Sequence, residues 1–480
     1  MTKTFAANFQ KKYSEFFALE EFNSTPVLVV AILAVLLGMA LAFYGGFPTG
    51  WGAINMDNPG SFICPNFLQH CEKFIFLRTG AGYFSHRVFF AFGLLGPLVL
   101  TAVFAYKKQW VWMHLVLIYL VIAKVYLGFI ADANVSVPFM MFNLVPAFVL
   151  LFSRKRWTDL RWCFLLLYFM AGFVKLDEAW IVGSYFSTTK EGLRLFPHFA
   201  IPLATNLVIC FELFAVWFLF HKNSKIRWVV LVFFIIFHLY STIYVSFRYP
   251  LLTLPLLVTL FGAPAPAIGS RVSRVGVVMT ALLLFVNLLP FMAGPNHKWT
   301  AEAKQFTLDM FDGNRQALSR SETKFKDGHI FVNEVPHTNA YDRAKPYNNW
   351  WFLKRSCNDP EVVSVAWTFT VSVNGGPFRR IIQEDDVCKT EFHPFRHNEW
   401  IHLDGPIVGY PTTNYYVGPG ELQQLTPFKI YDTPQIQLSS LAQFNQDHLQ
   451  AIRLTYAILA FITFCIMASY RGREWLGLRL

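Results

Sequence analysis

Residues 26–45 read PVLVVAILAVLLGMALAFYG, a stretch without a single charged side chain. A helix rises about 1.5 Å per residue, so roughly 20 apolar residues are enough to cross the hydrocarbon core of a bilayer. The rest of the chain is similar: its 480 residues are 54% hydrophobic and only 15% charged, and the mean hydropathy is +0.38. Soluble domains carry about 25% charged residues. The composition therefore predicts a polytopic α-helical membrane protein.

Apolar runs of this kind recur along the chain. We predict ten candidate spans, at about 26–45, 88–106, 110–130, 137–153, 160–176, 197–220, 226–247, 250–263, 274–293 and 452–470. The fourth and eighth runs are short and contain proline, which removes a helical hydrogen bond. The expected number of spans is therefore about eight to ten.

Basic residues lie in the short connections between these runs, at 106–109, 153–157, 221–228, 269–274 and 470–475. With ten alternating spans, all five connections lie on the side of the N-terminus, which the positive-inside rule makes cytoplasmic. The net charge of +11 is thus spread over loops, which argues against a nucleic-acid partner. Compact loops favour a bacterial inner membrane with the large domain in the periplasm. The alternative is the endoplasmic reticulum membrane with that domain in the lumen.

Four segments follow from this topology. Residues 1–25 form a cytoplasmic segment in which 9–22, FQKKYSEFFALEEF, predicts an amphipathic helix lying in the membrane interface. Residues 26–293 form the transmembrane domain, 294–450 an extracytoplasmic and mainly β domain, and 451–480 a last span with a cytoplasmic tail. Within the β domain, VVSVAWTFTVSVNG (362–375) and RRIIQ (379–383) predict two strands joined by a hairpin at Asn374–Gly376.

Cysteine positions agree with this topology. Cys64, Cys71, Cys357 and Cys388 fall on the outer side, whereas the other three lie inside apolar runs. In an oxidising compartment four cysteines form two disulfides with three possible pairings. A zinc site is the weaker alternative, because Cys64 and Cys71 do not have the usual ligand spacing. The histidines of FHPFRHNEWIH (392–402) are a second, also weaker, metal candidate.

The stretch FMAGFVKLDEAW (169–180) places a lysine and two carboxylates at the outer end of the fifth span. In one interpretation Lys175 only extends its ammonium to the headgroups. In the other, Ala171 and Gly172 let a second helix approach closely, so that Lys175 loses water and its neutral amine becomes a proton acceptor. Asp177 and Glu178 oppose this if they face the amine.

Further polar groups share that depth. Asp132 and Asn134 lie at the outer end of the third span and His238 in the middle to outer part of the seventh; Lys124 is deeper in the third span and Glu212 lies inside the sixth. Ionisable residues inside spans are expensive and tend to face a cavity or one another. A single histidine in a span is more often a satisfied packing group, but several such groups at one depth favour a common cavity in the outer leaflet.

Four segments, taken in order, resemble one enzyme family. They are AGFVKLDEAWIVG (171–183), FHLYSTIYVSFRYPLLTLPLL (237–257), FTLDMFDGNR (306–315) and WTFTVSVNGGPFRRII (367–382). They are similar to the lysine segment, the following histidine-bearing span, the opening of the lumenal domain and a strand pair of the vitamin K-dependent γ-glutamyl carboxylase family. The resemblance covers roughly 130–400 and implies an HTTM-type membrane domain with a lumenal β domain.

The resemblance implies an enzyme that carboxylates glutamate residues of a peptide or protein. It uses a reduced quinone of the vitamin K type, such as a menaquinol, together with O2 and CO2, and releases the quinone as an epoxide; no metal is expected. Lys175 corresponds to the family's base, while His238 and Asn134 correspond to further catalytic residues. The predicted pocket for quinone and substrate is lined by Asp132, Asp177, Trp180 and Tyr240.

Two further features come from the same resemblance. Cys357 corresponds to a cysteine that bridges to the first outer loop, so the implied partner is Cys64 or Cys71. Val135 departs from the family, because it stands where the pattern has a catalytic histidine.

Two hypotheses in which the protein is not an enzyme remain. One is a non-catalytic membrane receptor or scaffold that binds a polypeptide through its β domain. The other is a membrane protein that handles a lipid or solute through the outer cavity. A Lys175→Ala variant separates them from the enzyme, because binding or flux survives that substitution whereas quinone epoxidation does not.

Overall fold

The computed structural model describes most of the chain. The described residues are 2–46, 64, 66–70, 95–130, 137–189, 192–244, 249–262, 271–294, 297–304, 307–309, 313–338, 345–402, 404–411 and 430–469. Asp132, Asn134, Val135 and Cys71 lie outside these ranges, as does the side chain of Lys124.

Helices make up the larger part of the described residues. In chain order they are α1 (Thr2–Phe17), α2 (Glu21–Ser24), α3 (Val27–Gly46), α4 (Gly96–Tyr106), α5 (Trp110–Ile130), α6 (Val137–Phe152), α7 (Arg156–Val174), α8 (Glu178–Ile181), α9 (Ser184–Ser187), α10 (Ile201–Leu213), α11 (Ser224–Tyr244), α12 (Tyr249–Gly262), α13 (Arg274–Ala293), α14 (His297–Thr300), α15 (Pro346–Ser356), α16 (Ser440–Asp447) and α17 (Leu449–Ala468). Each predicted apolar run except the sixth thus coincides with one helix, within a few residues where the structure describes it; the sixth, 197–220, divides into α10 and a 3-10 helix at Ala215–Phe220.

Four of the described helices are long and apolar enough to cross a membrane: α7, α11, α13 and α17. Shorter apolar helices lie within α3, α4, α5, α6, α10 and α12. The bundle core contains apolar side chains from all of these helices.

Helix α7 is the central helix of the bundle. Of its most apolar 18-residue stretch, 94% is buried, whereas in α17 the corresponding share is 11%. It packs against α6, α10 and α13. Gly172 explains how α10 comes so close, because a Cβ at this position would lie 2.8 Å from the Cβ of Glu212. The outer helices instead expose apolar side chains, such as Val229 at 71% and Phe461 at 67%.

The N-terminal segment differs from the predicted helix over 9–22. Helix α1 ends at Phe17, because Ala18 takes a left-handed conformation with φ 51°. Tyr13 packs against α5, where its hydroxyl lies 2.8 Å from Nδ1 of His114. The chain then re-enters helix at Glu21, whose carboxylate accepts from the backbone N–H groups of Arg156 and Trp157 and so caps α7.

The predicted β domain contains one antiparallel sheet. Its strands are β1 (Arg315–Phe325), β2 (Ile330–Thr338), β3 (Val362–Val373), β4 (Phe378–Glu384), β5 (Ile407–Pro411) and β6 (Ile430–Tyr431), in the order β2-β1-β3-β4-β5-β6. Both predicted strands and the hairpin between them are confirmed. Asn374 and Gly375, with φ 51° and 72°, supply the two left-handed residues that a tight hairpin requires.

Helix α15 covers one face of this sheet. Its Trp350 and Trp351 pack with Trp367 and Phe369 of β3 in a second, separate core. Residues 64 and 66–70, from the first predicted outer loop, also lie here, since the hydroxyl of Tyr347 donates to the carbonyl of Cys64 and Nε1 of Trp351 donates to the carbonyl of Gln69.

The disulfide implied by the family resemblance is wrong. Cys357, at the end of α15, is bonded to Cys388, 31 residues further along the chain. Cys357 therefore joins α15 to the segment after β4, rather than to the first outer loop. Cys64 is also disulfide-bonded, and the remaining candidate, Cys71, lies outside the described residues.

The sheet contacts the chain segment that follows Lys175. The side chain of Asn314 donates to the carbonyl of Tyr185 at 2.7 Å and to the hydroxyl of Thr188 at 2.9 Å. Nearby, Asn445 donates to the carbonyl of Ile181 at 2.7 Å. The C-terminal end of α7 is therefore the end of the bundle that faces the sheet.

Candidate functional site

Lys175 is buried at the end of the central helix, with 2% of its surface exposed. Its Nζ donates to Oε2 of Glu212 at 2.5 Å and to the carbonyl oxygen of Ala171 at 3.2 Å. The ammonium thus lies inside the bundle and does not reach its surface. Both side chains of the ion pair are almost completely buried, with 3% and 4% of their surfaces exposed.

The carboxylate that pairs with Lys175 comes from another helix. Glu212 lies on α10, directly opposite Gly172 of α7, so the glycine is what brings the two backbones close enough for the ion pair. The sequence indicated Glu212 as an ionisable span residue but not as part of the site. The available signal was its depth, because an acid and a base buried at the same level stabilise each other.

A substitution at Gly172 tests this packing. We expect Gly172→Leu to separate α7 from α10 and to destabilise the protein by about 1–3 kcal/mol, since the new side chain meets Glu212 and Leu213. Thermal unfolding of the purified protein measures this loss. Gly262→Leu is the matched control, because a Cβ there has no neighbour closer than 3.5 Å. Equal losses for both variants would contradict the role of Gly172.

Trp180 lies over the ammonium. Its ring centroid is 4.9 Å from Nζ of Lys175, a distance at which the ring face attracts a cation. Asp177 fixes this arrangement, because its carboxylate accepts from the backbone N–H of Trp180 at 3.2 Å and caps α8. Two of the predicted pocket residues, Asp177 and Trp180, therefore lie beside Lys175.

His238 is also fully buried, on α11. Its Nε2 lies 2.6 Å from the hydroxyl of Tyr168. Lys175 is the C-cap of α7 and follows Tyr168 by seven residues, about two helical turns, so the Cα atoms of the two residues lie on the same side of the helix, about 10 Å apart along its axis. Tyr168, which the sequence did not indicate, thus places His238 on the side of α7 that carries Lys175.

Tyr240 does not join this group. It lies on α11 two residues from His238 and therefore on another face of the helix. Its hydroxyl donates to the carbonyl of Arg194, and its ring packs against Phe196 and Tyr244. The site as described contains Lys175, Glu212, Trp180 and Asp177, with Tyr168 and His238 deeper in the bundle.

The outer histidines have separate partners. His397 lies 2.9 Å from the buried carboxylate of Glu302, which also accepts from the backbone and side chain of Asn398. His393 contacts Arg396 at 2.7 Å. Within the described ranges, no group of three His, Cys, Asp or Glu side chains is arranged to hold a metal ion.

A pocket of about 570 Å³ lies in the sheet domain. It is lined by Arg380, Gln383, Asp385, His402, Asp404, Gly405 and Pro406. Partial burial raises the pKa of the neighbouring Glu384; His402 acts to lower this pKa and Asp385 to raise it. The pocket is therefore a charged cleft with groups of both signs.

No family model, no curated protein and no solved structure matches this chain. The function is therefore argued from the geometry of the site.

Proposed function

We propose that this chain is an integral membrane enzyme of the γ-glutamyl carboxylase type, in which Lys175 and Glu212 together move a proton. The observation that carries the proposal is the dry ion pair beneath Trp180. A charged pair in a protein interior is expensive because both groups lose their hydration, and ionisable residues inside membrane spans commonly mark functional sites. The proposed substrates are a reduced quinone of the vitamin K type, O2, CO2 and a glutamate-containing peptide or protein.

The helical part supports a membrane location. Four described helices have the length and composition of spans, and the outermost of them expose apolar faces to the surroundings. We infer about eight to ten spans, as predicted from the apolar runs. The basic connections then face the cytoplasm and the sheet domain faces the periplasm or an organelle lumen.

The ion pair can hold its proton in two ways. With the proton on nitrogen, the pair is an ammonium and a carboxylate; with the proton on oxygen, it is a neutral amine and a carboxylic acid. Low polarity reduces the advantage of the charged form, since both ions have lost their hydration. Glu212 can therefore take the proton that Lys175 must release before its amine acts as a base.

The residues around the pair have the chemistry that a quinone needs. Trp180 offers an aromatic face beside the amine, and the Tyr168–His238 pair offers a second polar point about two turns earlier along α7. A bound reduced quinone supplies an acidic hydroxyl and reactivity with O2. Lys175 would receive the hydroxyl proton, Trp180 would exclude water, and the sheet side of the site would admit the peptide.

A Lys175→Met variant tests the proposal. Membranes are supplied with menaquinol, bicarbonate and a glutamate-containing peptide, and mass spectrometry measures both quinone epoxide and carboxylated glutamate. We expect both products from the wild type and at least about a hundredfold less from Lys175→Met, the usual contribution of a general base. Lys155→Met is the matched control, because Lys155 precedes the same helix and is exposed. A wild type that makes neither product, or a Lys175→Met variant with full activity, excludes the proposed reaction.

A second candidate function is polypeptide binding without catalysis. It is favoured by the charged pocket of the sheet domain, which lies on strand β4 and the loop before β5. If an isolated partner binds wild type and Lys175→Met equally, and neither turns over quinone, the receptor is the better description.

A further inference from the structure

Arg161 is a second buried cation on the central helix. It is 2% exposed and is surrounded by aromatic rings, with its guanidinium carbon 5.0 Å from the Phe220 ring, 5.1 Å from Phe261 and 5.7 Å from Trp157. Its buried Nε and Nη1 atoms have no hydrogen-bond acceptor among the described residues. Fourteen residues separate it from Lys175, or about 21 Å of helix, so this place is distinct from the proposed catalytic site.

Arg156, one turn earlier, shows how this chain satisfies a structural arginine. Its guanidinium donates to the carbonyl oxygens of Leu150, Ala18 and Phe17 at 2.6–2.9 Å and forms an ion pair with Glu21. Arg161 has none of these partners. A buried arginine whose N–H groups lack acceptors is rare, because each of these donors loses its hydrogen bonds to water without a replacement.

The nearest carboxylate on the same helix is occupied elsewhere. Asp159 accepts from the hydroxyls of Ser153 and Ser273 and from the backbone N–H of Ser273, where it fixes the start of α13. It therefore does not neutralise Arg161.

Two other side chains in this region also carry buried donors without an acceptor in the described part of the chain. The indole Nε1 of the fully buried Trp157 and the Nε of Arg227 have no acceptor among the residues that the structure describes. Arg227 carries a charge of the same sign within electrostatic range of Arg161. Four buried N–H donors of Arg161, Trp157 and Arg227 thus lack an acceptor among the described residues, while Nη1 of Arg227 donates to the carbonyl oxygen of His221 at 3.5 Å.

We propose that these groups bind a phosphate-bearing anion. Guanidinium groups pair with phosphate oxygens in a planar, two-pronged geometry, and an indole N–H adds a further donor. Arg227 lies in the first turn of α11, is only half-buried and has the exposed Lys222 and Lys225 close by in the sequence, so the site opens on that side. The proposed ligand supplies the negative charge and the acceptors that the protein lacks here. The phosphate group of an anionic lipid and free inorganic phosphate share this chemistry.

Thermal unfolding in a neutral detergent tests the proposal. Three probes are compared: phosphatidylglycerol, diacylglycerol of the same chain length, and inorganic phosphate at constant ionic strength. We expect phosphatidylglycerol to raise the unfolding temperature of the wild type and diacylglycerol to leave it unchanged. A rise with inorganic phosphate alone identifies free phosphate as a sufficient ligand, whereas a rise only with phosphatidylglycerol identifies the lipid.

Arg161→Met is the decisive variant. It removes an unpaired buried cation, so we expect its unfolding temperature without added anion to equal or exceed that of the wild type, and its response to the anion to be lost. Arg271→Met, which removes an exposed arginine, should retain the full response. Arg227→Gln, at a half-buried position, provides a milder variant and should weaken the apparent affinity about tenfold, the effect of one charge-assisted hydrogen bond. The proposal is overturned if neither anion stabilises the wild type, or if Arg161→Met responds as the wild type does.

Discussion

Glu212→Leu should be among the most destabilising single substitutions in the bundle. It leaves the ammonium of Lys175 buried without its carboxylate, and breaking a buried ion pair in this way typically costs about 3–5 kcal/mol. Lys175→Met should cost a similar amount, because it leaves the Glu212 carboxylate unpaired. The double variant Lys175→Met/Glu212→Leu should return to within about 1 kcal/mol of the wild type, since replacing both charges by apolar groups is often neutral.

The measurement is thermal or denaturant unfolding of the four proteins as a double-mutant cycle. An exposed pair supplies the control: Arg320 and Glu322 lie 2.8 Å apart with 52% and 43% of their side chains exposed. Loss of Glu322 should change stability by less than about 1 kcal/mol. Additive losses for Lys175 and Glu212, with no recovery in the double variant, would show that the two groups do not depend on each other.

This cycle also separates stability from function. If the double variant is as stable as the wild type but inactive, the ion pair is retained for chemistry and not for folding. Buried ion pairs are weak contributors to stability, which makes this outcome the expected one.

The positions of the apolar helices could be predicted because each of them corresponds to a continuous apolar run in the local sequence. Each apolar run is long enough to define its own helix, and α5 and α13 begin and end where the runs predicted. The sixth run, 197–220, is the exception. It divides into α10 and a 3-10 helix at Ala215–Phe220, although no glycine or proline lies at the junction. The 3-10 segment packs against α11, a contact that local sequence does not encode.

Pairings between distant residues could not be predicted. Lys175 was identified from its own surroundings, but its partner Glu212 lies 37 residues away and depends on how α7 and α10 pack. Tyr168 looked like an ordinary aromatic core residue, and only the fold brings it to His238. The same holds for Arg161, because a sequence does not show that a buried arginine lacks an acceptor.

Removal of the Cys357–Cys388 disulfide should also lower stability strongly. The loss should be confined to the sheet domain. The bond closes a loop of about 30 residues, for which chain entropy gives about 3–4 kcal/mol. We expect Cys357→Ala/Cys388→Ala to fold, because Lys354 still donates to the carbonyl oxygens of Cys388 and Thr390 at 2.6 and 2.7 Å. Its sheet domain should nevertheless unfold at lower temperature than that of the wild type.

Peptide mapping without reduction provides the direct measurement. The wild type should yield a linked peptide pair containing Cys357 and Cys388. A reductant should lower its unfolding temperature at least to that of the double variant, because it also opens the disulfide of Cys64. Cys465→Ser, which removes a free and exposed cysteine, should change neither result. A link from Cys357 to the first outer loop would contradict the described pairing. Because such bonds form in oxidising compartments, an oxidised pair in cells would also place the sheet domain on the extracytoplasmic side.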